Sequence, residues 1–357
     1  MGFRFSHGGF FLFFVFILFS LNYVLLFFIF STFFIPNPAA FSLFFALLYP
    51  FSYLLQDKLN NNITYALYYF INLWYGVLFI AFFVVLLFKV ADHFNFSIPY
   101  AEWAFLTVLV VASLAGWASG NTWRTESHTI HSEKIKKPLR IVHLTDQHVH
   151  GVFAKNRFDK VLSLALAQKP DVIAITGDLM DRPGLPSKKA FDRLNEVKVP
   201  VLFVMGNHEF YVGDKIAELL LSHTPAKILR TAHADINGVR FLGVDDPTGG
   251  KKLIPELERL HYDPSKYQVL LYHQPLAELK AAKQKHVNLV LAGHTHAGQI
   301  FPFNLLIRLH FPFIEGMHHL GSMKVYVSPG AGTWGPAMRL GSQNTIAVIN
   351  LLPSHKE

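Results

Sequence analysis

Five short stretches combine aspartate, asparagine and histidine in a way that suits metal chemistry. They are Asp146-Gln147-His148, "GDLMDR" at 177–182, "GNHE" at 206–209, His273, and "GHTH" at 293–296. A single Asp or Asn after an apolar run is ordinary turn chemistry. Repetition at five run ends points instead to one shared site. The chain has no cysteine, which excludes disulfides and thiolate chemistry. Imidazole nitrogen with carboxylate and amide oxygen suits Mn, Fe or Zn better than Ca or a structural zinc knuckle. Asp146, His148, Asp178, Asn207, His273, His294 and His296 offer more donors than one ion with an open position needs. They suit two divalent ions about 3.5–4 Å apart sharing a carboxylate, the arrangement that clamps both oxygens of a phosphoryl displacement.

Something must carry these residues to one place. Runs rich in Val, Ile and Leu occupy 139–146, 171–178, 199–207, 239–246, 267–273, 287–294, 323–330 and 344–351. Most lack period-2 alternation, as strands buried on both faces do. Apolar residues recur at helical spacing over 157–169, 187–197 and 214–223. The pattern predicts an α/β layered domain over 139–357. Five of its strands deliver polar residues to the carboxyl edge of a sheet, where open α/β sheets bind ligands.

The first 120 residues are different in kind. Their charged residues are Arg4, Asp57, Lys58, Lys89, Asp92 and Glu102, three of each sign, so the net charge of +8 belongs to residues 121–357. Apolar runs at about 9–35, 39–56, 63–90 and 101–119 predict a transmembrane region of about four helices over 1–120. The second run is the shortest and contains Pro50. The first is too long for a signal peptide and lacks a small-x-small cleavage site, so it is expected to stay as a span. Residues 121–138 read as a polar, basic linker. Arg4, Lys58 and the basic stretch from Arg124 to Lys137 fall on one side of four spans, which predicts a cytoplasmic catalytic domain. A second run that failed to cross would put the domain on the opposite face.

The ordered set D-x-H, G-D-x-x-D-R, G-N-H-E, H and G-H-x-H resembles the calcineurin-like metallophosphoesterase superfamily over roughly 139–351. The tail "VYVSPGAGTWGPAMRLG" is similar to its membrane-attached bacterial-type branch. The resemblance implies a layered β-sandwich with flanking helices and hydrolysis by two-metal hydroxide attack. It implies that one ion takes Asp146, His148 and His296, and the other Asn207, His273 and His294, with Asp178 bridging. His208 would stabilise or protonate the leaving oxygen without binding metal, oriented by Asp181. Arg182 would hold a phosphate oxygen or buttress its loop. Two positions depart from the branch. Ala297 stands where a second glycine is common, and Pro329 where an arginine is frequent, which puts a phosphate contact in doubt.

Substrate class follows from the surroundings. The insert "IFPFNLLIRLHFPF" (300–313) follows the GHTH motif directly. It reads either as a loop packed on its own domain or as a membrane-dipping or acyl-binding element. A membrane region, an apolar insert and a basic domain favour a phosphodiester or pyrophosphate in a lipid or lipid-linked substrate. The family precedent is UDP-diacylglucosamine hydrolysis. Nucleic acid is disfavoured, since no aromatic-and-basic stripe accompanies the charge. The alternatives are a phosphoprotein phosphatase and a non-catalytic metal-binding sensor or scaffold. The non-ligand pair His208 and Asp181 argues against the last.

Overall fold

A computed structural model of the chain describes residues 36–96 and 100–354, with Tyr23, Leu26 and Phe27. The chain divides into two compact units, one of helices up to Trp117 with the short segment Gly335–Met338, the other from Ala118 onward. Among the described residues, three helices are long and apolar enough to cross a membrane. They are α1 (Pro38–Leu59), α2 (Asn62–His93) and α3 (Ala101–Gly120). The run at 9–35 lies largely outside the described residues.

The second run thus forms a helix of membrane-spanning length, and it continues through Pro50. A proline has no N–H for the carbonyl four residues earlier, here that of Ala46. The Tyr75 hydroxyl of α2 donates to that carbonyl at 3.2 Å. An unpaired carbonyl is costly in hydrocarbon, so the proline and the tyrosine form one device. Tyr75→Phe is expected to destabilise the helical unit by about 1–3 kcal/mol. Denaturant titration of the detergent-solubilised chain measures this, and an unchanged midpoint would show that the carbonyl has another partner. The link between α1 and α2 is a tight turn. Asn60 is left-handed, and Asn61 Oδ1 accepts the N–H groups of Ile63 and Thr64, both at 3.0 Å.

The second unit stacks two six-stranded sheets. The first has the order β1 (Trp123–Ser132), β12 (Asn344–Pro353), β2 (Leu139–Leu144), β3 (Val172–Thr176), β4 (Val201–Val204), β5 (Lys227–Ile228). The second has the order β10 (Gly316–Leu320), β11 (Met323–Val327), β9 (Leu289–Ala292), β8 (Tyr267–Leu271), β7 (Val239–Gly243), β6 (Ala232–Ile236). Pairing is parallel from β2 through β5 and from β7 through β9 to β11. It is antiparallel at β12–β2, β6–β7 and β10–β11.

The continuous apolar runs now have a physical reason. Alternate residues of each strand enter different cores. Ile141, Val172, Leu202, Phe241, Val269 and Leu291 meet between the sheets. Their chain neighbours Val142, Ile173 and Phe203 pack outward on Phe158 and Leu162 of helix α4 (Ala154–Ala167). Leu242, Leu270 and Val290 pack outward on Leu253 and Leu257 of helix α7 (Leu253–Arg259). A strand that feeds two cores needs no polar alternation.

One expectation is corrected here. Residues 123–132, read as part of a polar linker, form β1, in parallel register with β12 from Trp123 opposite Asn344 to Ser132 opposite Pro353. β1 is an edge strand with one largely exposed face, and so carries no apolar run.

Candidate active site

The carboxyl ends of β2, β3, β4, β8 and β9 bring the five motifs together. β2 runs out into Thr145 and Asp146, and the Asp146 carboxylate accepts the His294 N–H through both oxygens, at 2.9 and 3.0 Å. Thr145 Oγ1 holds the same carboxylate at 2.8 Å. After β3, the backbone N–H groups of Asp178, Leu179 and Met180 donate to the buried Glu209 carboxylate at 2.8–3.1 Å, and Gly206 N–H joins them at 2.8 Å. Glu209 therefore pins the Asp178 turn to the start of helix α5 (Asn207–Val212).

Five of the singled-out residues lie in the left-handed backbone region: Asp146 (φ 53°), His148 (φ 46°), Asp178 (φ 51°), His294 (φ 71°) and His296 (φ 50°). Such conformations are uncommon outside glycine and cluster at functional sites. The motif glycines divide by cause. Gly177 has φ 86° and serves the turn. Gly206 and Gly293 serve close approach instead. A Cβ on either would lie 2.2 Å from a carboxylate oxygen, of Asp178 and Asp146 respectively.

Two clusters result. In one, His148 Nε2 lies 3.0 Å from His296 Nε2, while Asp146 Oδ1 is 3.5 Å from His296 and 4.0 Å from His148. In the other, His273 Nε2 lies 3.1 Å from Asn207 Oδ1, 3.2 Å from His294 Nδ1 and 3.1 Å from Asp178 Oδ2. Asp178 Oδ2 also comes within 3.9 Å of His148 Nε2, so it stands between the two.

The donor set fits a cation on its own chemistry. His273 Nδ1 donates to the Thr176 carbonyl at 2.7 Å, which leaves the Nε2 lone pair facing two oxygen acceptors. His148 Nδ1 donates to Asp181 Oδ2 at 3.0 Å, which leaves its Nε2 lone pair facing His296. Lone pairs converge where only a proton or a cation relieves them. Burial, the largest cause, lowers the pKa of His294 to about 3, which keeps a neutral imidazole with a lone pair to give.

Asp181 serves two rings at once. Its other oxygen accepts from His208 Nδ1 at 2.6 Å. Burial works to raise the Asp181 pKa, but His208 and the two ring hydrogen bonds outweigh it and hold the carboxylate ionised. Burial likewise opposes charge on His208, yet Asp181 and Asp178 push its pKa up to about 9. His208 Nε2 comes within 3.9 Å of Asp178, so His148, Asp178 and His208 form a third group with ligand spacing. The Arg182 N–H donates to Asp181 Oδ1 at 2.7 Å.

The sequence did not single out three contributors. The rings of Tyr211 and Trp334 flank His208 with centroids at 5.1 and 6.2 Å. Arg339 is fully buried and places its donors on Asn344, Ser342, Pro329, Gly332 and the His296 carbonyl at 2.6–3.2 Å. Pro329, one of the two departures, thus contributes its carbonyl to this arginine. Ala297, the other, adopts the left-handed conformation despite its Cβ (φ 52°).

Clusters of nitrogen and oxygen donors at the carboxyl edges of a two-sheet sandwich fit the metallophosphoesterases, and comparison agrees. Residues 139–298 match the family model described as calcineurin-like phosphoesterase. A metallophosphoesterase of Campylobacter jejuni is 36% identical over 258 residues, which cover 69% of each chain. One from Aquifex aeolicus is 33% identical over 240 residues, 64% of this chain and 91% of that one. A bovine transmembrane protein with metallophosphoesterase domain is 34% identical over 269 residues, 69% of this chain and 60% of its own. The chain belongs to the calcineurin-like metallophosphoesterases. It is a phosphoester hydrolase with N-terminal helices of membrane-spanning length, in a family that generally uses two divalent metals.

Proposed function

We propose that this chain hydrolyses a phosphodiester or pyrophosphate bond in a lipid or lipid-linked substrate, using two divalent cations. Asp146, His148 and His296 would hold one cation and Asn207, His273 and His294 the other, with Asp178 shared. The observation that carries this reading is the convergence of ring nitrogens and carboxylate oxygens into two clusters joined at Asp178. When bound, the cations supply Lewis-acid charge against the phosphate oxygens.

The remaining steps belong to the protein. Asp181 fixes His208 through Nδ1, so its Nε2 proton is free to reach the leaving oxygen. A His208 pKa raised to about 9 keeps that proton in place at neutral pH, and a protonated ring is a general acid rather than a metal ligand. Arg182 is assigned to a phosphate oxygen or to support of its own loop. The lipid reading is supported by the apolar helix α9 (Phe303–His310), which begins five residues after Gly298 of the GHTH turn and has no buried residue. The basic residues Lys58 and Arg124 to Lys137 support a cytoplasmic orientation of the hydrolase.

The test is hydrolysis by the detergent-purified chain of a generic phosphodiester, a generic phosphomonoester and a native lipid extract, with Mn²⁺ and after chelation. Chelator-sensitive diester turnover, with phosphate-bearing lipids consumed from the extract, is the expected result. Monoester turnover alone would overturn the lipid reading in favour of a phosphoprotein phosphatase. A reporter fused after Glu357 that is active only outside the cytoplasm would overturn the orientation.

A further inference from the structure

The apolar insert behind the GHTH motif resolves into helix α9, and its surface is unusual for a soluble face. Leu309 is 84% exposed, Leu306 57%, Leu305 55% and the preceding Phe301 54%. At 100° per residue, Leu305, Leu306 and Leu309 fall within one stripe about 100° wide. Asn304 and Arg308 border that stripe on one side. The exposed Arg308 and His310 lie in the helix's last turn. A narrow apolar stripe beside cationic side chains is the pattern of a helix lying in a membrane interface.

Hydrogen bonds tie the base of this helix to the exit of a membrane-spanning segment. Phe301 N–H donates to the Leu340 carbonyl at 2.8 Å, and Leu340 N–H donates to the Gln299 carbonyl at 2.9 Å. Ser342 Oγ donates to the same Gln299 carbonyl at 2.9 Å. Two residues on, Asn344 Nδ2 donates to the carbonyls of Gly120 and Thr122 at 2.9 and 3.1 Å. Gly120 is the last residue of α3 and of its membrane-length stretch Trp103–Gly120. The chain from Leu340 to Asn344 spans at most about 14 Å. The root of α9 and the point where α3 would leave a bilayer are therefore fastened to one short segment.

We propose that the α9 stripe is an interfacial docking surface, and that its partner is the surface of the bilayer that holds α3. Leu305, Leu306 and Leu309 would enter the headgroup–acyl boundary while Arg308 meets anionic phosphate. A bilayer surface is the occupant that accounts for the apolar stripe, its basic border and the shared attachment with Gly120. The inference stands on this geometry and does not require a lipid substrate.

The absence of cysteine allows a direct test on the full chain. Leu309→Cys carries an environment-sensitive fluorophore, and Lys137→Cys, exposed just before β2 at the sheet edge opposite the site, is the control. Each is placed in nanodiscs of phosphatidylcholine and phosphatidylglycerol, with and without nitroxide-bearing phospholipid. The expected result is blue-shifted emission from position 309 that nitroxide lipid quenches, with neither effect at position 137. Water-like, unquenched emission at 309 overturns the proposal. Blue-shifted emission that nitroxide lipid fails to quench also overturns it, because protein would then cover the stripe. Activity plays no part in either readout, so a wrong substrate assignment leaves this result unaffected.

Discussion

Asp178→Asn is expected to lower phosphoester turnover by ~10³-fold or more, about 4 kcal/mol of transition-state stabilisation. Loss of one preorganised electrostatic group costs on the order of 10²–10³ in kcat. Asp178 is shared between two clusters, 3.1 Å from His273 Nε2 and 3.9 Å from His148 Nε2, so its loss is felt in both. The amide keeps the shape of the side chain. Its Oδ1 can still accept the His208 N–H that Asp178 accepts at 2.9 Å. The fold should therefore survive, as an unchanged thermal midpoint of the chelated protein would show. Metal content separates chemistry from structure here. The variant should hold fewer than two ions per chain after gel filtration in micromolar Mn²⁺. An asparagine variant with both ions and undiminished turnover would remove Asp178 from the bridging position.

The site loops were legible because a buried strand that ends in a cluster of polar side chains must change character abruptly. "LVLA" gives way to "GHTH", and "VIAIT" to "GDLMDR", within a residue or two. The eight strands recognised as apolar runs each occupy an interior place in a sheet. β1, β5, β6 and β10 escaped recognition, and they are the four sheet edges. An edge has one partner and one face toward water, so it needs no apolar run and carries none.

Other features depend on distances between remote residues. Gly206 looks like a turn glycine, yet its φ of −90° suits any residue. What it supplies is space against Asp178, which no local pattern reveals. The pairing of Tyr75 with the carbonyl that Pro50 leaves open joins residues 29 apart in sequence from the acceptor, Ala46. The five-acceptor cage around Arg339 is likewise invisible in "PAMRLGS". Such groups are chosen by packing and polar satisfaction, and their sequence neighbours do not announce them.

His208→Ala is expected to cost on the order of 10²–10⁴ in kcat for a substrate with an alkoxide leaving group, the usual contribution of a positioned general acid. A nitrophenolate needs no proton to depart, so the same variant should lose roughly tenfold or less on a nitrophenyl ester. The ratio of the two losses carries the argument, because damage to the metal clusters would depress both substrates alike. Asp181→Asn provides the contrast. Asp181 holds His208 at 2.6 Å and His148 at 3.0 Å, so its loss should reduce the leaving-group advantage and also weaken metal binding, by about 10–100-fold. The sign of the pH effect follows from the same contacts. A rate that requires protonated His208 falls as pH rises through its pKa, which Asp181 and Asp178 push up to about 9 against the effect of burial. Without the Asp181 carboxylate that descending limb should move toward lower pH. Equal losses on both leaving groups in His208→Ala would assign His208 to metal binding, the role that its 3.9 Å approach to Asp178 also permits.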